Sequence, residues 1–222
     1  MNGRTRRPGW VVVIPIKPTD SGKSRLAEVG LDRPALAAAL AVDTIAAAAA
    51  CAAVARVLVV TDDPDVAAAV RVLPRVDVVG EGGARGVDGA VALGAAQAGD
   101  DRPRAALLGD LPSLDPADLA RALRTAASVD RAVVADREGT GTTMVTARAG
   151  VTWMSAFGPG SFARHAALGF TPLAVAAHST LRRDVDTPDQ LRAAADLGLG
   201  AATRALLAGA ARPPASARAA SA

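Results

Sequence analysis

A chain of 222 residues with 25 Lys plus Arg against 22 Asp plus Glu carries a formal charge of +3 and suits a single α/β domain, with no need of covalent staples. One cysteine (Cys51) and two histidines exclude a disulfide framework, a multi-cysteine metal site and a His-based zinc site. Aromatic residues make up only 2% of the chain, which leaves no stacking platform for bases, so nucleic acid is excluded as a partner and the positive charge reads as a pull on small anions.

Residues 1–8 read as a basic tail, with Arg4, Arg6 and Arg7. The first strand, Trp10–Ile16, runs into a polar loop with Lys17, Lys23 and Arg25. The letters Gly22-Lys23-Ser24 suggest a phosphate-cradling loop, but the glycine that pattern needs five positions earlier is Lys17. Pro15 and Pro18 also remove N–H donors that such a nest would use. A polyphosphate would be held here by side-chain charge instead. Lys17 and Lys23 are the only lysines in a chain that otherwise spells its positive charge as arginine. A compact ammonium serves phosphate as a point charge in a way a guanidinium does not. A solvated basic loop is the plain alternative.

Further strands are expected at Val57–Val60, Val76–Val79, Ala105–Leu108, Ala132–Ala135, Thr142–Thr146, Pro172–Val175 and Leu181–Val185. Helices are expected at Pro34–Ala53, Pro64–Leu73, Gly89–Ala98, Pro116–Ala127, Phe162–Leu168 and Pro188–Ala195. Asp63-Pro64, Asp115-Pro116 and Thr187-Pro188 each set a capping oxygen before a proline at the first helical position. Ala35–Val60 is apolar and long, but Asp43 and Arg56 interrupt it, so no membrane segment is expected and the cytoplasm is the default compartment. Residues 208–222 read as a disordered tail and 9–207 as the folded domain. The alternation of strands and helices implies a mainly parallel sheet covered on both faces, with ligands beyond the carboxyl ends of its strands.

That rule selects three carboxylates. Asp110 follows the buried run Ala105–Gly109, at a strand's carboxyl end, where Gly109 would let backbone approach a ligand; capping the turn is the alternative role. Asp184 and Asp186, spaced by two, share one face of an expected strand while Val185 points away. Neighbouring carboxylates repel unless one takes a proton or a cation lies between them, and Mg²⁺ bound with substrate phosphates is the natural resolution. Gly139-Thr140-Gly141-Thr142 reads as a hairpin turn or a ligand loop. In Phe157–His165, Gly158-Pro159-Gly160 shapes a loop and Ser161 caps a helix whose N-terminus suits an anion. Arg164 and His165 add charge there or lie on the surface.

In order, IPIKPTDSGKSRL, VVTDD, LLGDLPSL, VADREGTGTT, FGPGSFARH and RRDVDTPDQL resemble the guanylyltransferases of coenzyme F-420 biosynthesis, the phosphoenolpyruvate or 2-phospho-L-lactate guanylyltransferase family. The likeness spans about Val11 to Ala205. It implies a Rossmann-like nucleotidyltransferase fold, GTP as donor, a phosphorylated three-carbon acid as acceptor and Mg²⁺ as cofactor. It further implies Lys17, Lys23 and Asp110 as catalytic residues, and Lys17, Lys23, Arg25 and Asp88 as nucleotide contacts. Asp110, Asp184 and Asp186 become the metal carboxylates, and Thr142, Gly158 and Ser161 the acceptor contacts. One departure is Val87-Asp88-Gly89-Ala90, where the family commonly begins a helix with Leu-Asn-x-Ala. Asp88 accepts a hydrogen bond but donates none, which bears on base recognition. Phosphoenolpyruvate is the first choice of acceptor, with 2-phospho-L-lactate or 3-phosphoglycerate as rivals. A molybdopterin or sugar-phosphate nucleotidyltransferase and a nucleotide-binding regulatory module are the other readings, and a homodimer is left open.

Overall fold

Trp10–Pro15 forms β1, and every one of its six residues is buried, as a central strand covered on both faces requires. The computed structural model describes residues 9–17 and 32–210. Seven strands follow the order β3-β2-β1-β4-β6-β5-β7: Trp10–Pro15 (β1), Val54–Val60 (β2), Val76–Val79 (β3), Arg104–Leu107 (β4), Arg131–Ala135 (β5), Thr142–Ala147 (β6) and Thr171–Pro172 (β7). Only β6 runs antiparallel to its neighbours, β4 and β5. The expected mainly parallel mixed sheet is therefore present.

Side chains alternate across the sheet as the two-residue period demands. Val12, Ile14 and Ile16 face one core with Val57, Val59, Leu107 and Met144. Val11 and Val13 face the other, with Leu58, Val60 and Ala90. The helices are Arg33–Ala50 (α1), Pro64–Val70 (α2), Gly86–Ala98 (α3), Pro116–Ala126 (α4), Ser161–Ala167 (α5), Pro188–Leu197 (α6) and Ala201–Ala210 (α7). α3 lies so close over β1 that a Cβ on Gly94 would stand 2.3 Å from Val13 Cγ1. By length and composition α1 passes for a membrane span, yet Leu36, Leu40 and Ile45 are fully buried, as in the core helix of a globular domain.

The three caps before a proline form, but the cap expected of Ser161 does not: Gly160 stands at the N-cap of α5, and Ser161 is the first helical residue with no side-chain cap bond. Asp63 accepts from the N–H of Asp65 and Val66, Asp115 from Ala117, and Thr187 builds a capping box with Gln190.

Three further expectations need correction. Leu181–Val185 is not a strand: Thr180–Arg182 is a 3₁₀ turn, and no regular element follows until α6. The Thr180 N–H goes to Asp118 and the Val185 N–H to the Asp110 carbonyl, so this backbone is spent on loops and helices rather than on a ladder. Pro172–Val175 shrinks to β7, an edge strand where a proline without an N–H is tolerated. The sequence boundary at 207 falls inside α7, a helix that the sequence pattern did not indicate. Its first N–H groups, from Ala202 and Thr203, donate to the buried carboxylate of Asp43 on α1.

Candidate functional site

In the strand order, β2 and β3 lie on one side of β1 and β4 lies on the other. The chain thus reverses direction across the sheet between β1 and β4, which makes their carboxyl ends the expected crevice. The rest of that edge is formed by the end of β5 and, because β6 is antiparallel, by the start of β6 at Thr142.

Asp110 sits three residues past β4 in a segment pinned at several points. The Leu108 N–H donates to the Thr143 carbonyl, the Leu111 N–H to Thr44 Oγ1, and the Gly200 N–H to the Pro112 carbonyl. Gly109 has a packing role that the sequence did not suggest: a Cβ there would stand 2.1 Å from Ile16 Cδ1. The Val185 N–H donates to the Asp110 carbonyl at 3.0 Å, joining the 184–186 segment directly to the end of β4. Val185 is fully buried among Leu36, Leu40, Leu191 and Leu199, and the two aspartates flank it in sequence. Val185 is sunk and Asp186 exposed, but Asp184 is itself half-buried, so the strict alternation of a strand is not kept.

Burial pushes the Asp184 carboxyl up to about 7, and Asp110, Asp186 and Asp136 add repulsion in that order. Its Oδ1 is buried and meets no hydrogen-bond donor among the described residues. Such an oxygen is costly unless protonated or met by a cation. A hard divalent ion with oxygen ligands fits that need. Among the described residues no three His, Cys, Asp or Glu side chains form a ready-made metal group. An ion held by one or two carboxylates would complete its shell with phosphate oxygens and water.

Asp136, which the sequence reading quoted but did not select, follows β5 as Asp110 follows β4. Its carboxylate accepts the N–H groups of Thr140 and Gly141 at 3.0 and 2.7 Å and shapes the hairpin turn to Thr142. Arg182 lays its guanidinium on the carbonyls of Ala135 and Asp136, fixing the approach to Asp184. The signal for Asp136 was its place just past a buried strand.

Thr142, Gly158 and Ser161 meet around α5. The Ser161 N–H donates to the Gly158 carbonyl and the Phe162 N–H to the Thr140 carbonyl. Arg164 and His165, left between charge and surface roles, have structural roles here. Arg164 donates to the carbonyls of Ala156 (3.0 Å) and Phe157 (2.8 Å) and clamps the loop. His165 is fully buried. Asp88, in the first turn of α3, accepts the Phe157 N–H at 3.0 Å.

Lys17 is exposed just beyond β1. It borders a cleft of about 260 Å³ lined also by Pro15, Ile16, Glu81, Val87 and Ala90. Burial, then Asp62, raises the Glu81 pKa, and Lys17 partly offsets this. Lys23 and Arg25 lie outside the described residues, as do both tails up to Pro8 and from 211. A second opening of about 390 Å³, between α4 and residues 173–179, is lined by none of the selected site residues.

Comparison with known proteins identifies the family. Residues 10–187 match the family model for guanylyl transferases of the CofC-like type. A phosphoenolpyruvate guanylyltransferase of Thermomonospora curvata is 52% identical over 210 residues, 93% of this chain and 90% of that protein. One from Streptomyces scabiei is 46% identical over 204 residues, covering 88% and 94%. Among solved structures, a nucleotidyl transferase from Methanothermobacter thermautotroptrophicus superposes with a TM-score of 0.64 at 18% identity, over 85% of this chain and 97% of that one, a likeness of fold. The sheet order and the match over nearly the whole folded chain agree: the protein belongs to the CofC-like guanylyltransferase family, and is a nucleotidyltransferase.

Proposed function

We propose that the protein transfers GMP from GTP to phosphoenolpyruvate, releasing pyrophosphate and forming enolpyruvyl-diphospho-5'-guanosine in the cytoplasm. The observation that carries this reading is the 52% identity, over 93% of the chain, to a protein named for that activity. In the reaction an oxygen of the acceptor's phosphate bonds to the α-phosphorus of GTP, and the bond from that phosphorus to the bridging α–β oxygen breaks. The acceptor is already an anion at neutral pH, so no side chain has to remove a proton. The chain's work is placement and charge neutralisation.

The nucleotide enters the cleft beside Lys17, with Lys23 and Arg25 contributing charge to its triphosphate. Asp88 borders both substrates. Its neighbours Val87 and Ala90 line the nucleotide cleft, while its carboxylate holds the loop of the acceptor side. Thr142, Gly158 and Ser161 receive the phosphorylated acid. Asp184, with Asp110 and Asp186 as the other candidates at this edge, would supply the one or two carboxylates that magnesium needs, for which the donor-less Asp184 Oδ1 is the supporting observation. When bound, that ion supplies positive charge to the phosphate oxygens as pyrophosphate leaves.

Incubating the protein with GTP, Mg²⁺ and each of phosphoenolpyruvate, 2-phospho-L-lactate and 3-phosphoglycerate tests this. Pyrophosphate release and the product mass expected for phosphoenolpyruvate support the reading. Turnover with one of the other acids alone moves the assignment to that acid, and no release with any of them rejects it.

A further inference from the structure

His165 is fully buried on α5, between Phe157 and Phe170, whose rings meet it edge-on with centroids 5.2 Å away in each case. The backbone N–H of Ala156 donates to Nε2 at 2.8 Å. An amide N–H only donates, so Nε2 is the bare nitrogen, and a neutral imidazole then carries its proton on Nδ1. Nδ1 lies 3.1 Å from Thr142 Oγ1, which therefore accepts, and the hydroxyl's own proton must point away from the ring. The neutral form fits the surroundings. Burial lowers the imidazole pKa; the Ser161 carbonyl and Asp88 work against that, and Arg164 reinforces it.

One ring therefore ties together three pieces of the pocket. Nδ1 reaches the start of β6, Nε2 reaches the loop leading to Gly158, and the helix that carries the ring begins at Ser161. Those are the three positions assigned to the acceptor.

We propose that His165, held as the neutral tautomer with its proton on Nδ1, is the positioning residue of the acceptor pocket, setting the Thr142 hydroxyl and the Gly158 loop against Ser161. The proposal rests on the assignment of that pocket to the phosphorylated acid. His165 itself touches no reacting atom.

The test combines steady-state kinetics with a spectroscopic readout. His165→Phe keeps an aromatic ring in the pocket and removes both polar contacts. His165→Gln keeps one donor and one acceptor. The expected result for His165→Phe is a KM for phosphoenolpyruvate raised about tenfold or more while the KM for GTP changes less than about twofold. His165→Gln should recover most of the loss. In a Thr142→Val background the His165→Phe effect should largely vanish, because the two residues act as one unit. Equal changes in both KM values, or full additivity with Thr142→Val, would overturn the proposal. Nitrogen-15 labelling of the two histidines gives an answer independent of turnover and of how well the phenylalanine variant folds. One histidine in the wild type should show a protonated Nδ1 and an unprotonated Nε2, and that pattern should disappear in His165→Gln. The opposite tautomer, or a doubly protonated ring at neutral pH, overturns the proposal. If the wild type turns over none of the three acids, the functional assignment fails, while the nitrogen spectrum still decides the tautomer.

Discussion

Asp184 costs the protein stability at neutral pH, and the size of that cost follows from the structure. The carboxyl moves from an ordinary 3.8 to about 7 in the fold, through burial first and then Asp110, Asp186 and Asp136. A folded pKa above the unfolded one means that the native state binds the proton more readily. Between about pH 4 and pH 7 the native state therefore carries more protons than the unfolded chain, and stability falls as pH rises. Roughly 3 pH units at about 1.4 kcal/mol each puts the loss on the order of 4 kcal/mol by pH 8. In a domain of this size that corresponds to roughly 10 °C in melting temperature.

Asp184→Asn removes the charge and keeps the shape. Thermal melts in a chelator at pH 5, 7 and 8 should show wild type losing stability across this series and the variant losing much less. At pH 8 the variant should be the more stable protein, and also inactive. Adding Mg²⁺ at pH 8 should then raise the wild-type melting temperature, since a ligand that binds only the folded state stabilises it, and should leave Asp184→Asn nearly unmoved. If the two proteins show the same pH slope, or the variant is less stable at pH 8, the electrostatic account of this carboxylate is wrong.

Asp43→Ala should cost about 2–4 kcal/mol in urea unfolding, because it strips a buried carboxylate from two N–H groups of α7; a loss below about 0.5 kcal/mol would contradict it. Gly109→Ala should cost about 1–3 kcal/mol by pressing on Ile16 Cδ1. Adding Ile16→Val, which deletes that methyl, should recover a good part of it, and no recovery would place the strain elsewhere. Arg182→Lys should lower turnover about tenfold or more, since a single ammonium cannot reproduce the fork on the Ala135 and Asp136 carbonyls; wild-type turnover would show that this clamp does not position Asp184.

Much of this was legible wherever a local pattern decides the structure. The apolar run of β1, the three capping dipeptides and the carboxylate after β4 each carry their cause within a few residues, and each lies where the sequence put it. α7 was hidden because its N–H groups are capped by Asp43, about 160 residues earlier in the chain. His165 was misplaced for a similar reason. The sequence shows an imidazole beside an arginine at a helix, but not the phenylalanines on either side of it or the Ala156 amide that fixes its proton. Gly109 was assigned to ligand approach because nothing local announces that Ile16 lies beside it.

The segment 180–186 shows how residues expected on a strand are held without one. A strand would have placed Asp184 and Asp186 on one face through its pleat. The protein reaches a related result without a ladder. Asp118 takes the N–H and hydroxyl of Thr180, and Arg182 is laid across the end of β5. Val185 is sunk into the core shared by α1 and α6 and bonded to the Asp110 carbonyl. What holds the segment is the burial of Leu181 and Val185, and burial can be enforced by anchors as well as by pairing. The anchors have one consequence that a sheet would not. Each is a side chain or a single amide whose loss leaves the seven-stranded sheet intact. Damage to Arg182 or Asp118 should therefore appear as lost turnover and a lost Mg²⁺-induced gain in melting temperature well before it appears as unfolding.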